Sequence, residues 1–167
     1  MLLPWLTLFD LRGLSFNLVE DRKPDHKNKC DDFVILIPIF NEVSYLTNIE
    51  FLKKYKEKVI FCTTNLETEG FYKELNKLAE ANGFNIIKTF FEDKIKNPWK
   101  IYYKTLLAHD YILGEAIKII KSKYVIFLDA DTSSDTDLPY LVGMVEKENI
   151  DLASVKVVPS KKDTIAE

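Results

Sequence analysis

The sequence predicts an α/β fold: a mostly parallel open sheet with helices on both faces. Three observations predict it. Short runs rich in Val, Ile and Phe alternate with stretches whose apolar residues recur at helical spacing. Several of those runs end in polar residues, namely Asn41-Glu42, Thr63-Thr64-Asn65 and Asp129-Ala-Asp131, and in open α/β sheets ligands bind outside the carboxyl ends of the strands. With 167 residues, 47% of them hydrophobic and 13% aromatic, the chain has enough material for one domain with a full core.

Taken in order, residues 1–32 read as an N-terminal extension and linker. The segment from Met1 to Phe9 is apolar, but Asp10, Arg12 and Gly13 interrupt it, so it is too short to span a bilayer. It lacks a basic leader and a small-residue cleavage site, so it makes a poor signal peptide. A short element docked on the domain is the plainer expectation. A membrane-surface or subunit contact led by Trp5 and Phe9 is the sharper one. Glu20 to Asp32 is polar, contains Pro24 and reads as a loop.

The main domain is expected over 33–159, with 160–167 as a tail. Phe33 to Phe40 is the first core strand, and Pro38 ends its ladder donation. Asn41 is placed to cap a helix carrying Leu46, Ile49, Leu52 and Tyr55. Lys58 to Thr64 is the second strand. Thr68 to Asn82 is a helix with Phe71, Leu75 and Leu78 on one face and Gly83 as its stop. Phe84 to Phe90 is the third strand. Asn97-Pro98 offers a cap and first-turn proline for a helix from Trp99 to about Lys121. Tyr124 to Leu128 reads as a strand buried on both faces. A helix from about Asp137 to Glu148 follows, then a strand from Leu152 to Val158.

Composition removes several function classes. A net charge of −3 without a basic stripe argues against a nucleic-acid partner. The 5 glycines, Gly13, Gly70, Gly83, Gly114 and Gly143, build neither a dinucleotide fingerprint nor a Walker A loop. The 2 His and 2 Cys are scattered without zinc-ligand spacing. Cys30 and Cys62 form no disulfide framework and suit a reducing cytosol, so a cytoplasmic location, including the membrane face, is expected. His109 receives no role.

Asp129-Ala-Asp131 carries the chemical signal. Asp is a poor strand residue, and an i, i+2 pair leaves on one face while a strand persists. Two like charges there repel unless a cation lies between them. Mg²⁺ or Mn²⁺ suits carboxylate oxygens and keeps positions open for phosphate. The competing reading is a polar turn with Asp135 or Thr136 capping the next helix.

These motifs, in this order, resemble the nucleotide-binding half of a GT-A glycosyltransferase, most like the family-2 type of the cellulose, chitin and hyaluronan synthase relatives. That family opens on an apolar strand ending Pro-x-Phe/Tyr-Asn-Glu, matched by Pro38-Ile-Phe40-Asn41-Glu42. Its D-x-D ends a later apolar strand, matched by Asp129-Ala130-Asp131. Its intervening Lys is matched by Lys104, with Lys100 as the alternative.

The resemblance covers about 33–159. It implies a nucleotide-diphospho-sugar donor, a divalent ion on Asp129 and Asp131, and sugar transfer to an unknown acceptor, with inversion favoured. Glu42 and Asn65 would meet base and ribose, Asp129 the ribose or the metal, and Lys104 the diphosphate. The second-strand tip, where the family holds uracil with an Asp, is Thr63-Thr64-Asn65 here, which leaves UDP- and GDP-sugars both open. The family's catalytic base belongs to an acceptor half expected to be missing from this chain, so donor binding without efficient transfer is the expectation.

Two rivals stand beside it. Asp129-Ala-Asp131-Thr-Ser133 also fits a haloacid-dehalogenase-like phosphotransferase with Asp129 as nucleophile, although that motif belongs on an early strand. A non-catalytic nucleotide-binding module is the third reading.

Overall fold

The computed structural model describes residues 28–90 and 111–153. The expectations at Trp5, Phe9, Asn97, Pro98, Lys100, Lys104, His109 and Val158 therefore lie outside the described residues. Strands β1 (Phe33–Pro38), β2 (Val59–Thr64), β3 (Asn85–Thr89) and β4 (Tyr124–Phe127) form one sheet in the order β3-β2-β1-β4. Every pairing is parallel, with Ile35 opposite Val59, Phe61 opposite Ile86 and Ile35 opposite Ile126. The chain winds outward from β1 to β3 and then returns to the other side of β1. The carboxyl ends of β1 and β4 thus flank the point where winding reverses, the place where open α/β sheets leave a crevice.

Strand alternation sorts the core into two layers. Phe33, Ile35, Ile37, Val59 and Phe61 face one layer, and Leu36 and Cys62 face the other. On the first layer lie α1 (Ile49–Leu52), α2 (Glu69–Asn82) and α4 (Leu138–Lys147), through Leu52, Phe71, Leu75, Ala79, Leu138 and Val142. On the second lies α3, the helix over 111–119, through Ile112, Leu113 and Ala116. Phe61 meets Phe84 edge-on with ring centroids 5.4 Å apart, a favoured aromatic geometry. Among the described residues no helix is long and apolar enough to cross a membrane.

α2 follows its sequence signals closely. The Thr68 hydroxyl accepts the Phe71 N–H, which satisfies one orphan donor of the first turn. Gly83 ends the helix at φ 72°, a left-handed conformation that a Cβ disfavours. α4 starts from Asp137, not Asp135 or Thr136, with Pro139 in its first turn. Tyr55 secures that start: its hydroxyl accepts the Leu138 N–H at 3.2 Å and donates to the Asp137 carboxylate at 3.3 Å. Burial pushes the Tyr55 phenol above its usual range, with the Leu138 N–H acting in the opposite sense.

Two expectations need correction. The helix expected after Asn41 is instead a 3-10 turn (Val43–Tyr45), the single turn α1 and a second 3-10 stretch (Lys53–Lys58). The helical spacing did mark burial, since Leu46, Leu52 and Tyr55 are all inside. The helix breaks because Asn41 does not cap it: Asn41 adopts φ 63° and donates its N–H to Glu67 Oε2 at 3.0 Å. Tyr55, at φ −124°, leaves the helical region as well.

Next, β4 is half-buried and not buried on both faces, with Phe127 51% exposed, because it is the outermost strand among the described residues. The strand stops before both aspartates, as the sequence predicts. Thr132 N donates to Asp129 O at 3.1 Å and closes 129–132 into a turn, as the poor strand propensity of Asp favours.

Candidate functional site

The site is built from strand ends. Leu128 N donates to Leu36 O at 3.0 Å, so β1 and β4 stay paired up to the turn. Ile39 N donates to Cys62 O at 2.9 Å, which keeps β1 in line with β2 beyond Pro38. Where pairing stops, the chains diverge and an open cleft of about 420 Å³ remains. Pro38, Ile39, Phe40 and Asn41 form one wall, Ser44, Tyr45 and Thr47 another, and Ala130 and Asp131 the third. Its volume falls within the ordinary range for small-molecule sites.

Of the residues singled out from sequence, Pro38, Phe40, Asn41, Ala130 and Asp131 meet in this cleft. Ala130 packs against the core while Asp129 and Asp131, on either side of it, are exposed. The Thr132 hydroxyl donates to Asp131 Oδ1 at 3.4 Å. Glu42 stands at the rim, where its carboxylate accepts the hydroxyl of the cleft residue Ser44 at 3.0 Å. Thr64 does not reach the cleft: it is 2% exposed and its hydroxyl accepts the Leu66 N–H at 3.2 Å. The Asn65 N–H donates to Thr89 O at 3.1 Å, extending the β2–β3 ladder by one step.

Sequence reasoning missed several participants. Tyr45 presents an aromatic ring to the cleft at 54% exposure, a signal visible only once the expected helix is replaced by a 3-10 turn. Glu67 anchors Asn41 from the β2 side. Tyr72 in turn holds the Glu67 segment: its hydroxyl accepts the Glu67 N–H at 3.1 Å and donates to Thr64 O at 2.5 Å. Lys88 caps the Tyr72 ring with its ammonium 3.7 Å from the centroid. Asn48 is buried beneath the cleft wall, and its amide Nδ2 donates to the carbonyls of Asp129 and Thr132.

Cys62 is a poor candidate for thiol chemistry, since burial pushes its thiol up to about 12, and a thiol is nucleophilic only when ionised. Among the described residues no three His, Cys, Asp or Glu side chains gather into a metal cage. Two carboxylates on one exposed turn still suit Mg²⁺ or Mn²⁺. Such ions are often held by one or two protein carboxylates together with substrate phosphates, and the turn borders the cleft.

None of the family models, curated proteins or solved structures compared with this chain matches it.

Proposed function

We propose that this chain is the donor-binding portion of a glycosyltransferase that takes a nucleotide-diphospho-sugar together with Mn²⁺ or Mg²⁺. One observation carries the proposal: the Pro38–Asn41 strand end and the Ala130–Asp131 turn line the same cleft at the reversal point of a parallel sheet. These two segments lie 89 to 93 positions apart in the chain, and the parallel register of β1 with β4 brings them to the same cleft.

In this reading Asp131 holds the metal and Asp129 shares it or meets the ribose. A bound divalent ion supplies Lewis-acid neutralisation of the departing diphosphate. Glu42, beside the cleft through Ser44, and Asn65, at the end of β2, serve base and ribose hydroxyls. Tyr45 offers an apolar face on which a base or sugar ring can stack. Lys104, outside the described residues, would add a point charge for the diphosphate. The acceptor is a separate matter, and transfer to it requires a base within hydrogen-bond reach of the attacking hydroxyl.

Calorimetry with uridine and guanosine diphosphate tests this. Binding of one of them in the presence of Mn²⁺ is expected, with loss on chelation and at least a tenfold weakening in Asp131→Asn, or ~1.4 kcal/mol. Equal affinity in chelator would refute it. A beryllofluoride adduct on Asp129 would instead favour a phosphotransferase, because only a nucleophilic carboxylate forms one.

A further inference from the structure

Asn48 occupies the N-cap position of α1, yet its side chain makes no cap bond there. Asn at an N-cap ordinarily accepts a backbone N–H of the first turn. Here the amide reaches across the molecule to residues more than eighty positions away. Its Nδ2 donates to Asp129 O at 3.4 Å and, more closely, to Thr132 O. Those carbonyls belong to the first and last residues of the turn that carries Asp131, and the turn is closed within itself by Thr132 N to Asp129 O. Asn48 is only 7% exposed, and its Oδ1 is buried with no hydrogen-bond partner among the described residues. A buried amide with one end unsatisfied is destabilising unless its other end does something a leucine could not.

We propose that Asn48 is a positioning residue that clamps both ends of the 129–132 turn and thereby sets the direction of Asp131 into the cleft. The inference rests on the metal-dependent nucleotide reading above. Its physical basis is the shared wall. Thr47, next to Asn48 in the chain, lines the same cleft as Ala130 and Asp131, so the amide ties the Thr47 segment to the turn that carries Asp131. Without it, the turn keeps its internal hydrogen bond but loses its registration against the Thr47 wall. Side chains that bind a metal tolerate displacement of only about 0.5 Å, and they hold it through supporting hydrogen bonds of this kind.

The test compares the full chain with Asn48→Leu, which keeps the size of the side chain and removes its donors. At fixed uridine or guanosine diphosphate, the Mn²⁺ concentration giving half-maximal binding is expected to rise at least tenfold in the variant, with its thermal transition still well above the assay temperature. A merely structural role would lower the transition and leave the Mn²⁺ dependence in place, and that result would overturn the inference while leaving the nucleotide reading intact. Absence of binding by the unaltered chain would remove both.

If the leucine variant does not fold, the unaltered protein still decides. The Asn48 side-chain amide resonances, which report the turn from beneath, are expected to shift on adding Mg²⁺ with the diphosphate that binds. Resonances that stay in place at saturation would overturn the proposal.

Discussion

Gly143 in α4 packs directly on the backbone that leads into β1. A Cβ added there would stand 2.4 Å from the Asn28 carbonyl oxygen, 2.8 Å from its carbon and 3.2 Å from the Lys29 nitrogen. All three are main-chain atoms, so no side chain can swing away to make room. Gly114 in α3 offers the control, because a Cβ added there meets nothing within 4 Å among the described residues. Alanine gains about 1 kcal/mol over glycine in a helix interior through backbone entropy. At Gly114 that gain is unopposed, so Gly114→Ala is expected to stabilise the fold by ~0.5–1 kcal/mol.

At Gly143 the overlap forces α4 away from the 28–29 segment. The neighbouring hydrogen bond from Cys30 N to Pro139 O, 3.0 Å long, is strained with it. Overpacking of this kind costs ~1–3 kcal/mol, which offsets the helical gain of about 1 kcal/mol and leaves Gly143→Ala destabilised by up to ~2 kcal/mol. Urea titrations followed by circular dichroism, with equal slopes for all three proteins, read both signs directly. A Gly143→Ala midpoint at or above that of the unaltered chain would refute the packing argument. A fall in Gly114→Ala would refute the entropy argument.

Two further outcomes follow from groups already described. Thr68→Ala removes the α2 cap and is expected to lower stability by ~1 kcal/mol, while Thr68→Ser, which keeps the oxygen, stays close to the unaltered chain in the same titration. For Cys62 the folded thiol is raised to about 12 from 9.0 in the free state, so the native chain keeps its proton where the unfolded chain releases it. The contribution is complete below pH 9.0 and is lost as pH rises toward about 12. The Cys62 share of the unfolding free energy should therefore fall by ~1.4 kcal/mol per pH unit in that window, and the slope should shrink in Cys62→Val; an equal slope in both would refute the assignment.

The parts of the fold legible in the sequence are those set by local chemistry. α2 is bounded by Thr68 and Gly83, whose side-chain oxygen and missing Cβ act within one turn of the helix. The strands were legible because β1 and β2 are almost continuously apolar and face two core layers. The 41–58 segment was misread because its apolar spacing reports burial, whereas its backbone is governed by distant partners: Glu67 for Asn41 and the 129–132 turn for Asn48. The same limit applies to the site. Pro38, Asn41 and Asp131 could be named from their positions at strand ends. Tyr45, Asn48 and Glu67 could not, since a sequence does not display which carbonyl an amide will reach across a sheet. Thr64 was drawn to the site by its place in the strand tip, but β2 is buried on both faces to its end, and the Thr64 hydroxyl is engaged by the Leu66 N–H.

The strand order also has a consequence for how the chain assembles. β1 and β2 are joined by a short connection, whereas β1 meets β4 only after the chain has travelled much further; the Lys123 N–H to Asp32 contact at the base of that pair closes a separation of 91 residues. Each doubling of a flexible loop adds ~0.6 kcal/mol of closure entropy, so a roughly fourfold longer loop adds ~1 kcal/mol before any contact repays it. The β1–β2–β3 unit with α2 is therefore the natural early-forming piece, and β4 arrives late. A molecule seated in the cleft touches both the first strand and the last arrival. It would act as a latch across the longest closure in the described sheet, raising stability by mass action and slowing release of β4 in particular.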